Sequence, residues 1–261
     1  MSLTPDIISF AHTLADQAGA IARRYYRQPY MVDYKSDKSP VTLADHEIET
    51  ALREAITDRF SDAYGILGEE SGASHLDAEY VWVIDPIDGT RAFIAGKPTF
   101  TTLIALCKNG VPVLGLIDQP IIGDRWVGVQ GFPSTRNGQP VTTRPCDDLT
   151  LALISTTSPE YFSAIASPSF HAVRAAARDI LYGCDGYAYG LLANGGVDLV
   201  IESGLKPYDY CALAPVISGA GGIITDWRGE SLTLHSNGDV LACGDEALHA
   251  IAISMIKPPK H

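Results

Sequence analysis

VWVIDPIDGT, residues 81–90, is the stretch on which the reading of this chain turns. Its apolar opening reads as a buried strand, and Pro86 is expected to end it. Asp85 then stands at the carboxyl end of the strand, where ligand sites in α/β sheets commonly lie. Gly89 permits a tight turn, so Asp85 and Asp88 can converge on one small volume with the Ile87 carbonyl turned inward. Thr90 opens the segment RAFIAG, which sets the amides of Gly89 and Thr90 at a helix N-terminus, ready-made donors for phosphate. Two carboxylates, a carbonyl and two amides match what Mg2+ asks for, hard oxygen ligands beside a substrate phosphate. An isolated DxxDG equally fits a plain turn whose aspartates cap the next helix.

Outward from this stretch, the N-terminal residues read as an amphipathic helix with Ile7, Phe10, Leu14, Ala18 and Ile21 on one stripe. Residues 41–60 read as a second, with Ile48, Ala51, Leu52, Ala55 and Ile56 on its apolar face, and KSDKSP between them as a polar loop. AYGILG (63–68) reads as a strand. TTLIALCKNG and VPVLGLIDQP form a hairpin about Asn109-Gly110, and DRWVGVQG continues the antiparallel pattern. The polar stretch 134–150 is the candidate seam within a single catalytic unit, 1–261, with approximate halves 1–145 (α+β) and 146–261 (α/β). Beyond it, strands at 151–156 and 197–202 alternate with helical segments at 168–178, 186–194 and 209–220, Pro215 being expected to kink the last. The fold class is therefore a layered α/β (α+β) arrangement of sheets between helices.

Composition narrows the function. The chain has 261 residues, 46% of them hydrophobic, and a net charge of −12. No stretch approaches the ~20 apolar residues that span a bilayer, and the N-terminus lacks a signal-peptide pattern, so a cytoplasmic protein with no membrane partner is expected. Five scattered cysteines without a CxxC read as reduced thiols, and seven histidines without HxxxH or HExxH argue against zinc. No Lys/Arg run exceeds Arg23-Arg24, which disfavours nucleic acid. Two unit charges about 4 Å apart interact by about 4 kcal/mol at an effective dielectric of roughly 20. A phosphate entering a carboxylate-rich pocket of this acidic chain therefore needs bound cations.

Two further motifs bear on the same chemistry. GILGEESG (65–72) carries Glu69 and Glu70 on a glycine-flanked turn; alone it is a solvated loop, and Ser71 does not fit the GxSxG nucleophile pattern. VIESGLKPYDYCALAPVI (200–217) places Asp209 before an apolar helix, where alone it is a plain N-cap. GEES, DPIDGT with Phe93, and a late Asp, in this order, resemble the inositol monophosphatase superfamily from about residue 30 to residue 229.

That resemblance implies an inositol monophosphatase/fructose-bisphosphatase-like αβαβα sandwich, a homodimer, and two to three Mg2+ per site, with Mn2+ as a substitute. Glu69 would bind the first metal, Asp85 would bridge the first and second, and the Ile87 carbonyl would complete the first site. Asp88 and Asp209 would hold the second metal, and the amides of Gly89 and Thr90 the phosphate. Thr90 and Asp45, the latter within VTLAD (41–45), would orient the attacking water, and Glu70 would support the metal loop from behind.

Arg91-Ala92-Phe93, STTSPEYF (155–162) and residues 181–213 resemble the histidinol-phosphate phosphatase branch. Its substrate is a small phosphate ester carrying an ammonium group and an imidazole, so carboxylates should face the cation. Glu202 and Asp185 are the candidates, with Arg91 as a further substrate contact, although Asp185 between two glycines also suits a turn. Tyr187 and Asn194 are further candidates for the same pocket. The alternatives are an inositol-1-monophosphatase or broad metabolite phosphatase, and a non-catalytic regulator on the same fold.

Overall fold

The computed structural model describes residues 3–28, 32–34 and 40–257, so positions 35–39 of the expected KSDKSP loop lie outside the described residues. The amphipathic stripes form α1 (Pro5–Tyr25) and α2 (Leu43–Phe60). Ile7, Phe10, Leu14, Ala18, Ile48, Leu52 and Ile56 are buried, while Ile21, Ala51 and Ala55 at the stripe edges are half-buried. A short two-stranded ladder precedes α2, β1 (Val32–Tyr34) with β2 (Pro40–Thr42).

The first large sheet has eight strands: β3 (Gly65–Gly68), β4 (Gly72–Ser74), β5 (Tyr80–Asp88), β6 (Thr101–Lys108), β7 (Val111–Gln119), β8 (Asp124–Val129), β9 (Thr135–Arg136) and β10 (Gln139–Pro140). Their order is β10-β9-β8-β7-β6-β5-β3-β4. Asn109 and Gly110 both take positive φ, 48° and 78°, the two-residue turn that matches strand twist. The 134–150 stretch supplies the last two short strands of this sheet and then the crossing to the second.

That second sheet holds β11 (Leu153–Thr156), β12 (Asp179–Tyr182), β13 (Leu199–Glu202), β14 (Ile223–Asp226) and β15 (Val240–Cys243), in the order β12-β11-β13-β15-β14. Strand β12 had no signal in the sequence reading; three of its four residues are exposed, so no apolar run marks it. The remaining helices are α3 (Thr90–Ile94), α4 (Ser167–Ala176), α5 (Tyr187–Ala193), α6 (Pro207–Tyr210), α7 (Leu213–Gly219) and α8 (Glu246–Met255).

Strand alternation builds the layers. Trp82, Ile84, Ile104 and Leu106 face α1 and α2, whereas Val81, Val83, Leu103 and Ala105 face the residues of α5, α6 and α7. Val200 and Ala242 turn toward that same middle layer, and Leu199, Ile201, Leu241 and Cys243 pack outward with α4 and α8. The result is the expected αβαβα sandwich. Among the described residues no helix is long and apolar enough to cross a membrane.

Two expectations are corrected. Pro86 does not end the strand: β5 runs to Asp88, and its register against β6 shifts, Asp85 facing Leu103 but Asp88 facing Thr101. Proline is tolerated there because the ladder is already broken by a bulge, and the Pro86 carbonyl accepts a bond from Thr102 Oγ1 at 2.8 Å. The helix expected over 209–220 is two, α6 and α7. Pro215 is the third residue of α7, where the amide has no intrahelical acceptor to lose, so it needs no kink.

The middle layer lies close against the first sheet. A Cβ on Gly115 would sit 1.9 Å from the Ala212 carbonyl oxygen, three residues after Asp209. Gly115→Ala is therefore expected to destabilise the protein by about 3 kcal/mol through overpacking, read as a lower denaturant midpoint at unchanged slope. An unchanged midpoint would contradict this packing.

Candidate active site

The bulge in β5 decides which carboxylates meet. Asp85 follows Val81 and Val83 in the alternation and so points to the middle layer. Three residues on, Asp88 would face the opposite side of a regular strand; the extra residue brings it back to the same side. Helix α6 sits in that layer and presents Asp209. Carboxylate oxygens of Asp85, Asp88 and Asp209 all lie within 4.8 Å of one another.

Asp209 and Asp88 are held by their own local bonds. Asp209 is the third residue of α6 rather than its N-cap, and accepts from the Lys206 amide at 2.6 Å. Asp88 accepts from the Gly186 amide at 2.6 Å and Thr101 Oγ1 at 3.0 Å. Asp85 is 2% exposed, and its Oδ1 has no hydrogen-bond partner. Glu69, on the turn after β3, joins them as a lining residue of the same pocket.

Crowding raises the proton affinity of the group. Desolvation pushes Asp85 well above the usual carboxylate range, with the charges of Glu69, Asp88 and Asp209 adding to it. Desolvation and the charges of Asp185 and Asp209 do the same to Asp88. Asp209 is raised to about 7, chiefly by desolvation.

Two adjoining cavities are built on this cluster. The smaller, about 150 Å³, is lined by Glu69, Asp85, Ile87, Asp88, Gly89, Thr90, Arg91, Tyr161, Asp185 and Asp209. The larger, about 560 Å³, shares Glu69, Asp88, Tyr161, Asp185 and Asp209 and adds Glu202, Lys206 and Tyr208 among others. Gly89 is required twice: its φ is 85°, and a Cβ there would lie 2.9 Å from Asp185 Oδ2. Asp185 itself adopts φ 44°. Glu202 is 3% exposed and accepts from the Thr157 amide at 2.7 Å and its hydroxyl at 3.0 Å. Burial raises Glu202 to about 8.

Asp45 stands apart from this cluster. It lines neither cavity, and its Oδ2 accepts from the Thr42 amide at 2.8 Å and the Thr42 hydroxyl at 2.6 Å, within the capping box of α2. Its Oδ1 is buried without a partner, and desolvation, reinforced by Glu70 and Glu69, raises it to about 7. The Thr90 hydroxyl donates to the Ile87 carbonyl at 3.1 Å, and no hydrogen bond joins Thr90 to Asp45 among the described residues.

Tyr187 and Asn194 do not line the pocket. Tyr187 donates to Asp124 at 2.9 Å, and Asn194 accepts from the Trp126 indole at 3.0 Å, both inside the middle layer. The sequence reading missed Tyr161, which lines both cavities and accepts from the Arg91 guanidinium. Its one signal was its place within the quoted STTSPEYF. Tyr189 was missed as well; it is buried at the larger cavity and its hydroxyl has no partner.

The donors fit Mg2+. They are hard oxygens, three from carboxylates in mutual reach, and the orphaned Asp85 oxygen is a buried acceptor left without a donor. Raised carboxylates also set the pH response of the metal-free protein. Glu202 in the folded chain binds its proton more tightly than the ordinary glutamate of the unfolded chain, near 4.3. Unfolding therefore releases protons, and the associated stability, full below about pH 4, is lost as pH rises to about 8. Metal-free protein is expected to melt several degrees higher at pH 5 than at pH 8.5, with the upper part of that difference reduced in Glu202→Gln. A profile rising with pH would contradict the crowding.

The layered fold and this acidic pocket fit metal-assisted hydrolysis of a phosphate ester. Comparison with known proteins gives the group. The sequence model of the inositol monophosphatase family matches residues 5–257. Bifunctional phosphatase IMPL2, chloroplastic, of Arabidopsis thaliana is 48% identical over 255 residues, covering 94% of this chain and 73% of that protein. A histidinol-phosphatase of Chlorobaculum parvum is 33% identical over 244 residues, 92% of this chain and 93% of that protein. In structure, an inositol monophosphatase from Zymomonas mobilis aligns with a TM-score of 0.89 at 48% identity, covering 98% of this chain and 99% of that one. The chain belongs to the inositol monophosphatase family.

Proposed function

We propose that the protein is a cytoplasmic, Mg2+-dependent histidinol-phosphatase that converts L-histidinol phosphate and water to L-histidinol and phosphate in histidine biosynthesis. The observation that carries this reading is the pair Asp185 and Glu202 in the cavity that adjoins the acidic cluster. Both are acceptors in a partly desolvated pocket, better suited to an ammonium group than to a neutral cyclitol. The histidinol-phosphatase at 33% identity supports the same substrate.

Glu69, Asp85, the Ile87 carbonyl, Asp88 and Asp209 would hold the cations, two to three Mg2+ with Mn2+ as a substitute. Bound there, the cations supply the positive charge that offsets the phosphate dianion, lowers the pKa of a water and stabilises the leaving oxygen. The amides of Gly89 and Thr90, at the start of α3, donate to phosphate oxygens. Arg91, held against Tyr161, closes the outer edge of the smaller cavity. Asp45, with an unpartnered oxygen and a pKa of about 7, is poised to accept a proton near neutrality. The Thr90 hydroxyl, which donates to the Ile87 carbonyl, would have to leave that bond to act with it.

The test is phosphate release with Mg2+ from histidinol phosphate and from inositol 1-phosphate side by side. A kcat/KM at least tenfold higher for histidinol phosphate is expected. Faster turnover of the cyclitol ester would overturn the substrate and leave the hydrolase chemistry standing.

A further inference from the structure

The turn that carries Glu69 is bound from below. Strands β3 and β4 pair antiparallel, Gly68 facing Gly72, and the turn between them crowds Glu69 beside Asp85 and Asp209. Repulsion alone would swing Glu69 out to water. Glu49, on α2, lies beneath this turn with no exposed surface. Its Oε2 accepts from the Glu70 amide at 2.6 Å and its Oε1 from the Ser71 amide at 2.9 Å. Arg53, one helical turn on, donates through Nε to Glu49 Oε1 at 2.7 Å and through its other arm to the Gly72 carbonyl. The carboxylate fills the space a side chain would need at residue 68, since a Cβ on Gly68 would lie 2.3 Å from Glu49 Oε1.

We propose that Glu49, clamped by Arg53, is a positioning residue that fixes the Gly68–Gly72 turn and so holds Glu69 toward Asp85 before any cation arrives. The inference rests on the metal ligands assigned above. Glu49 touches neither substrate nor the reacting atoms. Its two oxygens occupy the turn amides, so the turn backbone cannot relax outward even though the acids on it repel their neighbours. The ion pair with Arg53 compensates the buried charge of Glu49. A buried carboxylate that takes the two amides following a ligand residue is the kind of support whose loss typically weakens metal binding by about 10–100-fold. Asp45 lies one helical turn earlier, so α2 aligns the proton acceptor and this clamp on one buried face.

The experiment titrates Mn2+ into metal-free protein by calorimetry and by the loss of free-ion paramagnetic resonance, alongside thermal melting. Glu49→Gln keeps the shape but presents an NH2 group to one of its donors, and is expected to weaken Mn2+ binding by about tenfold or more. Leu248→Ala, in the core beneath α8 and remote from the site, is the destabilised control and should bind Mn2+ as the wild type does. Arg53→Lys keeps the charge but loses the fork to Gly72; it carries the same direction at smaller size if Glu49→Gln does not fold. Wild-type affinity in the folded Glu49 variant, or in Arg53→Lys where that variant does not fold, overturns the positioning role alone. Equal weakening in Leu248→Ala does so too. Wild-type protein that binds no Mn2+ overturns the metal assignment and this role with it.

Discussion

Asp209→Asn is expected to lower phosphate release by about 10³-fold or more, the scale on which one electrostatic contact to a transition state acts. It should also raise the melting temperature of the metal-free protein at pH 8. Both effects have one source. Without cations, Asp209 is a desolvated carboxylate within reach of Asp85 and Asp88, and its pKa of about 7 means that it is mostly charged at pH 8 at the expense of the fold. Asparagine keeps the carbonyl oxygen that accepts from the Lys206 amide, so α6 retains its cap while the repulsion falls. The same charge is what a cation requires, so the variant gains stability and loses activity together, a trade common at strained sites. Asp88→Asn should behave alike, since its bond from Gly186 is also kept. Steady-state rates and thermal melts check both; undiminished activity in either variant would contradict the metal set.

The second large effect concerns substrate choice. Asp185→Ala is expected to lower kcat/KM for histidinol phosphate by about 10²-fold, as loss of one partner of a desolvated charge pair does. Inositol 1-phosphate, with no cation to lose, should change by less than about threefold. The position makes this a clean experiment. Asp185 holds no metal in the proposed set, yet it lines both cavities beside Gly89. Glu202→Gln should shift the ratio in the same sense by a smaller factor, because glutamine still accepts from Thr157. Parallel losses on both esters would remove the cation-recognition role from this pair.

The residues show where a linear reading reaches its limit. Asp85, Asp88 and Asp209 were legible because their chemistry is tied to local pattern, a strand end, a glycine turn and a helix start. The layers were legible from the alternation in VWVID and from the stripes of α1 and α2. Glu49 was not: four residues after Asp45 and four before Arg53, it reads as one half of an ordinary surface ion pair. Only the tertiary placement of the Glu69 turn over α2 turns that pair into a buried clamp. Thr90 and Asp45 show the complementary limit. Motif order names them as a pair, but the fold engages the Thr90 hydroxyl with the Ile87 carbonyl and Asp45 with Thr42. Strand β12 is too short and too exposed to leave a hydrophobic trace.

Changing a residue at position 86 or 87 and removing one are therefore different kinds of mutation. A substitution leaves the chain offset that turns Asp88 toward Asp209 in place. A one-residue deletion would keep every acid in the gene product and leave Asp88 opposite Thr101 on the face of Asp85, yet β5 would then run in even step with β6 and the extra peptide that the bulge inserts beside the acids, with its carbonyl, would be gone. Evolution at this point counts positions as well as side chains, and a protein of unaltered acidic composition could lose its chemistry through length alone.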